Sequence, residues 1–360
     1  MAHLFEALKL RDVTLPNRIG IPPMCQYSAQ DGLAADWHFV HYGSRAVGGA
    51  GLMILEATAV APAGRISPGD LGIWNDAQIE PLARIARFAQ QQGCVAALQL
   101  AHAGRKASVG LGWEKQSSLA ASDGGWDTLA PSAIAFGDGY AVPHELDLAG
   151  IAEIVTDFAA AARRALAAGF QSIEIHAAHG YLLHQFLSPL SNQRSDAYGG
   201  SFENRTRLVR EVVAAIRGEW PERLPLLIRL SATDWIDGGW SADETVALCR
   251  ELKELGVDLA DISTAGLVPT AKIPAGPGFQ TEFAARVKRE AGLPSAAVGL
   301  ITAPAQADHI VRSGQADLVL IGREILRNPY WPQHAAQALG HAVAWPPQYL
   351  RAAPAGSTAR

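Results

Sequence analysis

Cysteine is scarce in this sequence, with three in 360 residues, at Cys25, Cys94 and Cys249. They lie far apart, form no CxxC pair and match no iron–sulfur spacing, which excludes a disulfide framework and a cluster site. Charge is sparse as well. Only 18% of residues carry it and no long block has one sign, which argues against extended disordered tails. A net charge of −5 offers no electrostatic case for nucleic acid, whose phosphates require a basic surface. No apolar run is long enough to span a bilayer. The first residues, Met1-Ala2-His3-Leu4-Phe5-Glu6, lack the basic-then-apolar order of a signal peptide. The expectation is a soluble, cytoplasmic protein with no nucleic-acid or membrane partner.

Apolar residues, by contrast, make up 49% of the chain, enough for a large core. They fall in short Val-, Ile- and Leu-rich runs that alternate with helical patterns. Eight runs read as strands: Arg18–Pro22, Leu52–Ala57, Val95–Leu100, Ser172–His176, Leu226–Leu230, Leu259–Ser263, Ser295–Val298 and Leu318–Ile321. Such alternation marks repeated βα units around a parallel sheet. Over 147–168, Leu148, Ile151, Ile154, Val155, Phe158 and Ala162 share one helix face, with Gly169 as a stop. The pattern repeats over 244–255 before Gly256. Thr302-Ala303-Pro304 reads as an N-cap followed by Pro in the first helical turn.

Eight units predict an α/β fold, a single (β/α)8 TIM barrel over residues 1–345, with 346–360 as a C-terminal tail. A doubly wound open sheet is the competing fold. It needs a Gly-rich turn after its first strand, where this chain has Pro22-Pro23-Met24-Cys25. Residues 102–145, after the third strand, are too many for a structureless loop. They read as a capping insertion held down by Trp113 and Trp126.

Catalytic residues of a barrel sit at the C-terminal ends of several strands. The fourth strand ends at His176 and runs into His179-Gly180-Tyr181. Two histidines three apart suit a zinc ion if a third ligand comes from elsewhere. They equally suit a clamp on a carbonyl oxygen with Tyr181 as proton donor, or a purely structural role. Arg229 is an ion in the apolar run Leu226–Leu230. A buried charge needs a partner, either an anionic group at the barrel mouth or an internal acid such as Glu56 or Glu174. Gly299 and Gly322-Arg323, at the ends of strands seven and eight, read as a phosphate cradle with helices starting after both.

These residues carry a family likeness. His176-Ala-Ala-His179-Gly-Tyr181-Leu-Leu-His-Gln-Phe-Leu-Ser-Pro continues into Asn192-Gln-Arg-Ser-Asp196-Ala-Tyr198-Gly-Gly-Ser201-Phe-Glu203-Asn204-Arg205. It is joined by Pro22-Pro-Met-Cys25-Gln-Tyr27-Ser, Gln99-Leu-Ala-His-Ala-Gly-Arg-Lys106 and Ile321-Gly-Arg323-Glu. From Leu4 to about Arg351 the sequence resembles the old yellow enzyme flavoproteins, in particular the thermophilic-like, YqjM-type branch that includes the xenobiotic reductases.

The resemblance implies non-covalent FMN at the barrel mouth. Pro22, Pro23, Met24, Cys25 and Ala57 would border its isoalloxazine, Gln99 would bond the pyrimidine edge, and Arg229 would lie near N1. Gly322 and Arg323, with Gly299 and Leu300, would hold the phosphate. It implies a ping-pong ene-reductase in which NADPH or NADH reduces FMN and an activated alkene reoxidises it. His176 and His179 would clamp the alkene's carbonyl or nitro oxygen and Tyr181 would donate the proton. Cys25 would tune the flavin, with simple packing as its alternative role. Tyr27 and Lys106 would border the substrate. Cys94 and Cys249 read as core residues.

The segment Trp345-Pro-Pro-Gln-Tyr349-Leu-Arg351 resembles one that carries an arginine into a neighbouring subunit's site, which implies a homodimer or dimer of dimers. The alternative is a frayed tail with 352–360 disordered. Val298-Gly299-Leu300 departs from relatives that have a tryptophan there, so the pocket wall is altered. Three other functions compete. A flavin–iron–sulfur dienoyl reductase lacks its cysteines here, a zinc hydrolase lacks a third ligand, and a flavin storage or sensor protein would have no use for Tyr181.

Overall fold

The computed structural model describes residues 2–114 and 117–360. Eight parallel strands form the barrel: β1 (Ile19–Ile21), β2 (Leu52–Ala59), β3 (Val95–Ala101), β4 (Ser172–Ala177), β5 (Leu226–Ser231), β6 (Leu259–Ser263), β7 (Ser295–Ala297) and β8 (Leu318–Leu320). Each pairs with its neighbour in chain order. β1 closes the ring by pairing with β8 (Val319 opposite Ile19) and with β2 (Gly20 opposite Leu52). All eight runs read from the sequence are strands, and the open-sheet alternative falls away.

The strands are buried along their whole length, because helices cover them outside and side chains fill the barrel inside. That explains why they read as continuous apolar runs. The helix Leu148–Ala167 begins at Asp147, whose side chain accepts the Gly150 N–H at 2.7 Å. Ile151, Ile154, Phe158 and Ala162 are buried as expected, but Leu148, the first residue of the helix, is exposed. The helix Ala242–Glu254 starts two residues before the expected span, set by Ser241 and Glu244 in a capping box. Before the helix Pro304–Arg312 the cap residue is Ala303, with no side-chain bond, rather than Thr302.

The insertion after β3 is ordered in its described part and covers the C-terminal mouth. Trp126 anchors it through Nε1 to the Ala63 carbonyl at 3.1 Å, with Arg65 stacked 4.6 Å from its ring centre. Trp113 does not pack the cap down. It is 68% exposed, and its ring meets that of Tyr27 edge-on. At the chain's end, Thr358–Ala359 pairs with Ala344–Trp345, and the Arg360 guanidinium bonds the carbonyls of Ala46, Val47 and Gln92. Those carbonyls end two barrel helices, so the tail is anchored opposite the mouth, contrary to the reading of 352–360 as disordered. No helix among the described residues is long and apolar enough to cross a membrane.

Candidate active site

The His-His-Tyr segment leaves β4 and turns sharply across the barrel mouth. His176 is buried, in register with Arg229 on β5, and its Nδ1 accepts the Ala178 N–H at 3.3 Å. Neutral His176 therefore carries its proton on Nε2. His179 is left-handed (φ +57), its N–H held by Ser231 Oγ at 2.9 Å and its Nε2 lying 2.7 Å from Ser263 Oγ. The next amide, of Gly180, donates to His184 Nδ1 at 2.9 Å. His184 Nε2 in turn sits 2.9 Å from Asp234 Oδ1, which places a buried imidazole–carboxylate contact under the turn.

The hexapeptide thus converges. The His176 ring stands edge-on to those of His179 at 5.3 Å and Tyr181 at 5.0 Å between centres. Burial, and next Arg229, pushes both imidazoles well below their ordinary range. Burial, then Cys25 and Tyr27, holds the Tyr181 phenol well above its own. Near neutral pH the site offers two uncharged imidazoles and a protonated phenol. No third metal-ligating side chain joins them among the described residues.

Arg229 finds an internal partner that the sequence reading did not name. Its Nε lies 2.9 Å from Asp261 Oδ2 on β6, directly opposite in register. The contact is close in charge but is not aligned as a hydrogen bond, since Nε and both Asp261 oxygens lack hydrogen-bond partners. Glu56 lies elsewhere, bonded to Tyr42 and the Gln26 amide. Glu174 is near Arg229 electrostatically but accepts from Gln99 Nε2 at 2.8 Å. Burial raises both Glu174 and Asp261 above the usual carboxylate range. The guanidinium is therefore only partly satisfied from within the protein and can serve an anionic edge as well.

Arg229 also lines a cleft of about 290 Å³ with Pro22, Pro23, Met24, Gly299, Leu300, Gly322 and Arg323. Gly299 (φ +123) and Leu300 (φ +52) turn the backbone sharply at the end of β7, beside this cleft. The helix after them starts only at Pro304, whereas Arg323 itself opens the short helix after β8. A Cβ at Gly322 would meet Pro22 and Met24 no closer than 3.7 Å, so it would project into the cleft. An apolar floor, a buried guanidinium and a basic, glycine-lined end fit a flat anionic ring system with a phosphate. Ala57 and Gln99 are buried just inside the barrel. With Gln99 Nε2 committed to Glu174, its oxygen is the free end, able to accept a ring N–H.

Cys25 and Tyr27 face a second cleft, shared with Trp37, Gly112 and Trp113. The Tyr27 hydroxyl and the Ala57 backbone favour charge on the Cys25 sulfur but do not outweigh what opposes it. Burial, then Asp70 and Glu56, keeps it a thiol at neutral pH. Tyr27, Cys25 and Tyr181 pack on one small apolar cluster around Ile66 and Ala107. Lys106 lies against Tyr181, with its Nζ 4.8 Å from the ring centre. Cys94 and Cys249 are buried in the core as expected. Arg351 is exposed, beside exposed Tyr349 and Leu350.

Ser263, Asp261 and Gly266 escaped the sequence reading. Asp261 sits in Leu259–Ser263 as Arg229 does in its own strand, an ion in an apolar run, and the same signal would have found it. Ser263 ends a barrel strand, where the positional rule applies. Gly266 has no local signal, because only its spatial neighbour His179 makes it matter.

A model of the NADH:flavin oxidoreductase / NADH oxidase family matches residues 3–341. Two proteins named NADPH dehydrogenase, from Listeria innocua and a Geobacillus species, are 48% and 47% identical to this chain. Those alignments cover 98% and 97% of it and 99% and 98% of the relatives. Among solved structures, morphinone reductase superposes with a TM-score of 0.78 at 30% identity, covering 94% of this chain and 90% of that one. The old yellow enzyme homologue of Zymomonas mobilis gives 0.79 at 27%, covering 94% and 93%.

Proposed function

We propose, since the chain belongs to the NADH:flavin oxidoreductase / NADH oxidase family, that it is an ene-reductase of the xenobiotic reductase type. The chain is an NAD(P)H-dependent oxidoreductase with FMN as cofactor. The proposed substrates are α,β-unsaturated carbonyl and nitro compounds, reduced at C=C, with reductant and alkene occupying one pocket in turn. The observation that carries the reading is the neutral imidazole pair beside a protonated Tyr181.

Bound FMN supplies two-electron hydride chemistry between nicotinamide and alkene. Pro22, Pro23, Met24, Cys25 and Ala57 would border its ring, Gln99 and Arg229 its polar edge, and Gly299, Leu300, Gly322 and Arg323 its phosphate. His176 presents Nε2–H to the substrate oxygen. For His179, Ser263 decides the tautomer. Thr264 Oγ1 already occupies Gln280 Oε1 at 2.6 Å, and Ser263 reaches that oxygen only at 3.4 Å. With the Ser263 proton directed along its shorter contact to His179 Nε2, at 2.7 Å, the ring's donor is Nδ1–H. Two donors on one oxygen draw electron density from the β-carbon, where donors fixed in a buried site act most strongly. Tyr181 then gives its proton to the α-carbon. Tyr27 would touch the substrate, and Cys25 would meet both substrate and flavin. The proposed assembly is a cytoplasmic homodimer or dimer of dimers in which Arg351 of one subunit enters its neighbour's site.

Anaerobic rapid mixing tests the reading. NADPH should bleach the yellow protein and cyclohexenone should restore the colour. Tyr181→Phe should slow recolouring by about a hundredfold while leaving bleaching nearly intact. An equal loss in both steps removes Tyr181 as donor, and an alkene that never restores the colour removes the ene-reductase reading.

A further inference from the structure

The Lys106 ammonium sits where three loops meet. It donates to the His179 carbonyl at 2.8 Å, after β4, and to the Gly266 carbonyl at 3.0 Å, after β6. Its nitrogen lies 4.8 Å from the centre of the Tyr181 ring and 4.6 Å from that of Phe136, in the cap. Arg105 ties the same region, its guanidinium reaching the carbonyls of Ile134, Ala135 and Leu267. Two of the three ammonium protons are thus committed to backbone, and the cation is held against the phenol ring. A cation over a ring face stabilises electron density added to that ring. When Tyr181 gives up its proton, charge appears on the phenol oxygen and spreads into the ring. The nearby ammonium therefore lowers the cost of that step. The same charge opposes protonation of His176 and His179.

We propose that Lys106 is a positioning residue. Its ammonium, fixed by the His179 and Gly266 carbonyls against the Tyr181 ring, holds the left-handed histidine turn and eases proton release from Tyr181 to substrate. This rests on the ene-reductase reading. The alkene gains a hydride equivalent at its β-carbon, from NAD(P)H by way of the cofactor. At the α-carbon a C–H bond forms as the Tyr181 O–H bond breaks, and Tyr181 recovers its proton from solvent.

Burial, with Arg105 beside it, brings Lys106 down to about 7. Arg105 on its own turn adds to that shift, Tyr181 lies against it, and His176 and His179 after β4 feel its charge together with those of Arg229 on β5 and His184 behind the turn, while Asp234 acts on Arg105. Enone reoxidation by the FMN-loaded wild type should accordingly decline as pH rises through about 7, when the ammonium is lost.

The test is stopped-flow reoxidation of the NADPH-reduced holoenzyme by cyclohexenone, with ferricyanide as an acceptor that needs no proton on carbon. Lys106→Met should slow the enone step at pH 6 by about tenfold or more, well beyond its effect on ferricyanide, and flatten the pH profile. Lys106→Arg should recover part of the rate and move the decline away from pH 7. Lys106→Met with the wild-type rate and profile overturns the proposal, and so does an equal loss with both acceptors, which marks a structural role only. A wild type that cyclohexenone cannot reoxidise, while ferricyanide can, removes the ene-reductase reading and this proposal with it. Lysine 13Cε NMR supplies a measure independent of turnover. One resonance should titrate near pH 7 and vanish in Lys106→Met, and the absence of such a resonance counts against the proposal.

Discussion

Gly266→Ala is the sharpest test of how the substrate clamp is built. Gly266 is left-handed (φ +90), and a Cβ there would lie 2.6 Å from the Cα, C and O of His179. Those are backbone atoms, so no side chain can swing aside. Restoring ordinary contact at 3.4 Å requires a relative shift of about 0.8 Å between the loops after β4 and β6. The left-handed conformation adds roughly 1–3 kcal/mol for a residue with a Cβ. Both strains act on the turn that aims His179 and feeds Tyr181. Misplacing reacting groups by about 1 Å costs on the order of a hundredfold in rate, or about 2.7 kcal/mol at the transition state. The FMN cradle, after β7 and β8, is untouched. The expected result is a kcat/KM for cyclohexenone about a hundredfold lower with FMN content unchanged. Gly276→Ala, where a Cβ meets nothing within 4 Å, is the matched control and should be neutral. Wild-type kcat/KM in Gly266→Ala would refute the reasoning.

Three further outcomes follow from the same geometry. Ser263→Ala removes the hydroxyl that selects the His179 tautomer. It should cost about 1 kcal/mol of substrate binding, read as a roughly fivefold higher KM for the enone, and an unchanged KM refutes the tautomer argument. For Asp234, burial pushes the carboxyl up, but His184, Ser188 and the Trp240 amide outweigh it and hold it below its usual value. Its stabilisation is therefore complete above the unfolded value of about 3.9 and is lost as pH falls through the lower folded one. In urea titrations Asp234→Asn should cost about 3 kcal/mol at pH 7, with the deficit shrinking toward pH 3, and a pH-independent deficit would contradict this. Arg351→Ala should raise the enone KM about tenfold without loss of FMN if a neighbour's guanidinium holds substrate, whereas an equal KM sinks that part of the assembly.

The barrel was legible because its physics is local and repeated. A strand buried on both faces must be apolar throughout, so each of the eight declared itself in a handful of residues, and chain order supplied the ring. The site was legible in part for a positional reason. Residues that are costly to bury, such as His176 and Arg229, stood out inside or at the ends of apolar runs. Where contacts join separate loops, that reasoning failed. Trp113 was expected to pack and is exposed, because aromatic content does not reveal which way a cap residue turns. Arg229 was matched with Glu56 or Glu174, but register places Asp261 opposite it.

The sequence by itself therefore determined the eightfold alternation, the strand ends and the chemistry gathered at them: two imidazoles, a phenol, a thiol and a glycine-rich basic cradle. These follow from burial and period, which act over a few neighbouring residues. Only the tertiary structure decided how those groups are aimed. Lys106 is tied to the carbonyls of His179 and Gly266, Ser263 meets the His179 ring, and Gly266 packs backbone to backbone on the same turn. Closing the barrel brings strands three, four and six to one mouth, and no local pattern records a contact between residues that far apart in the chain.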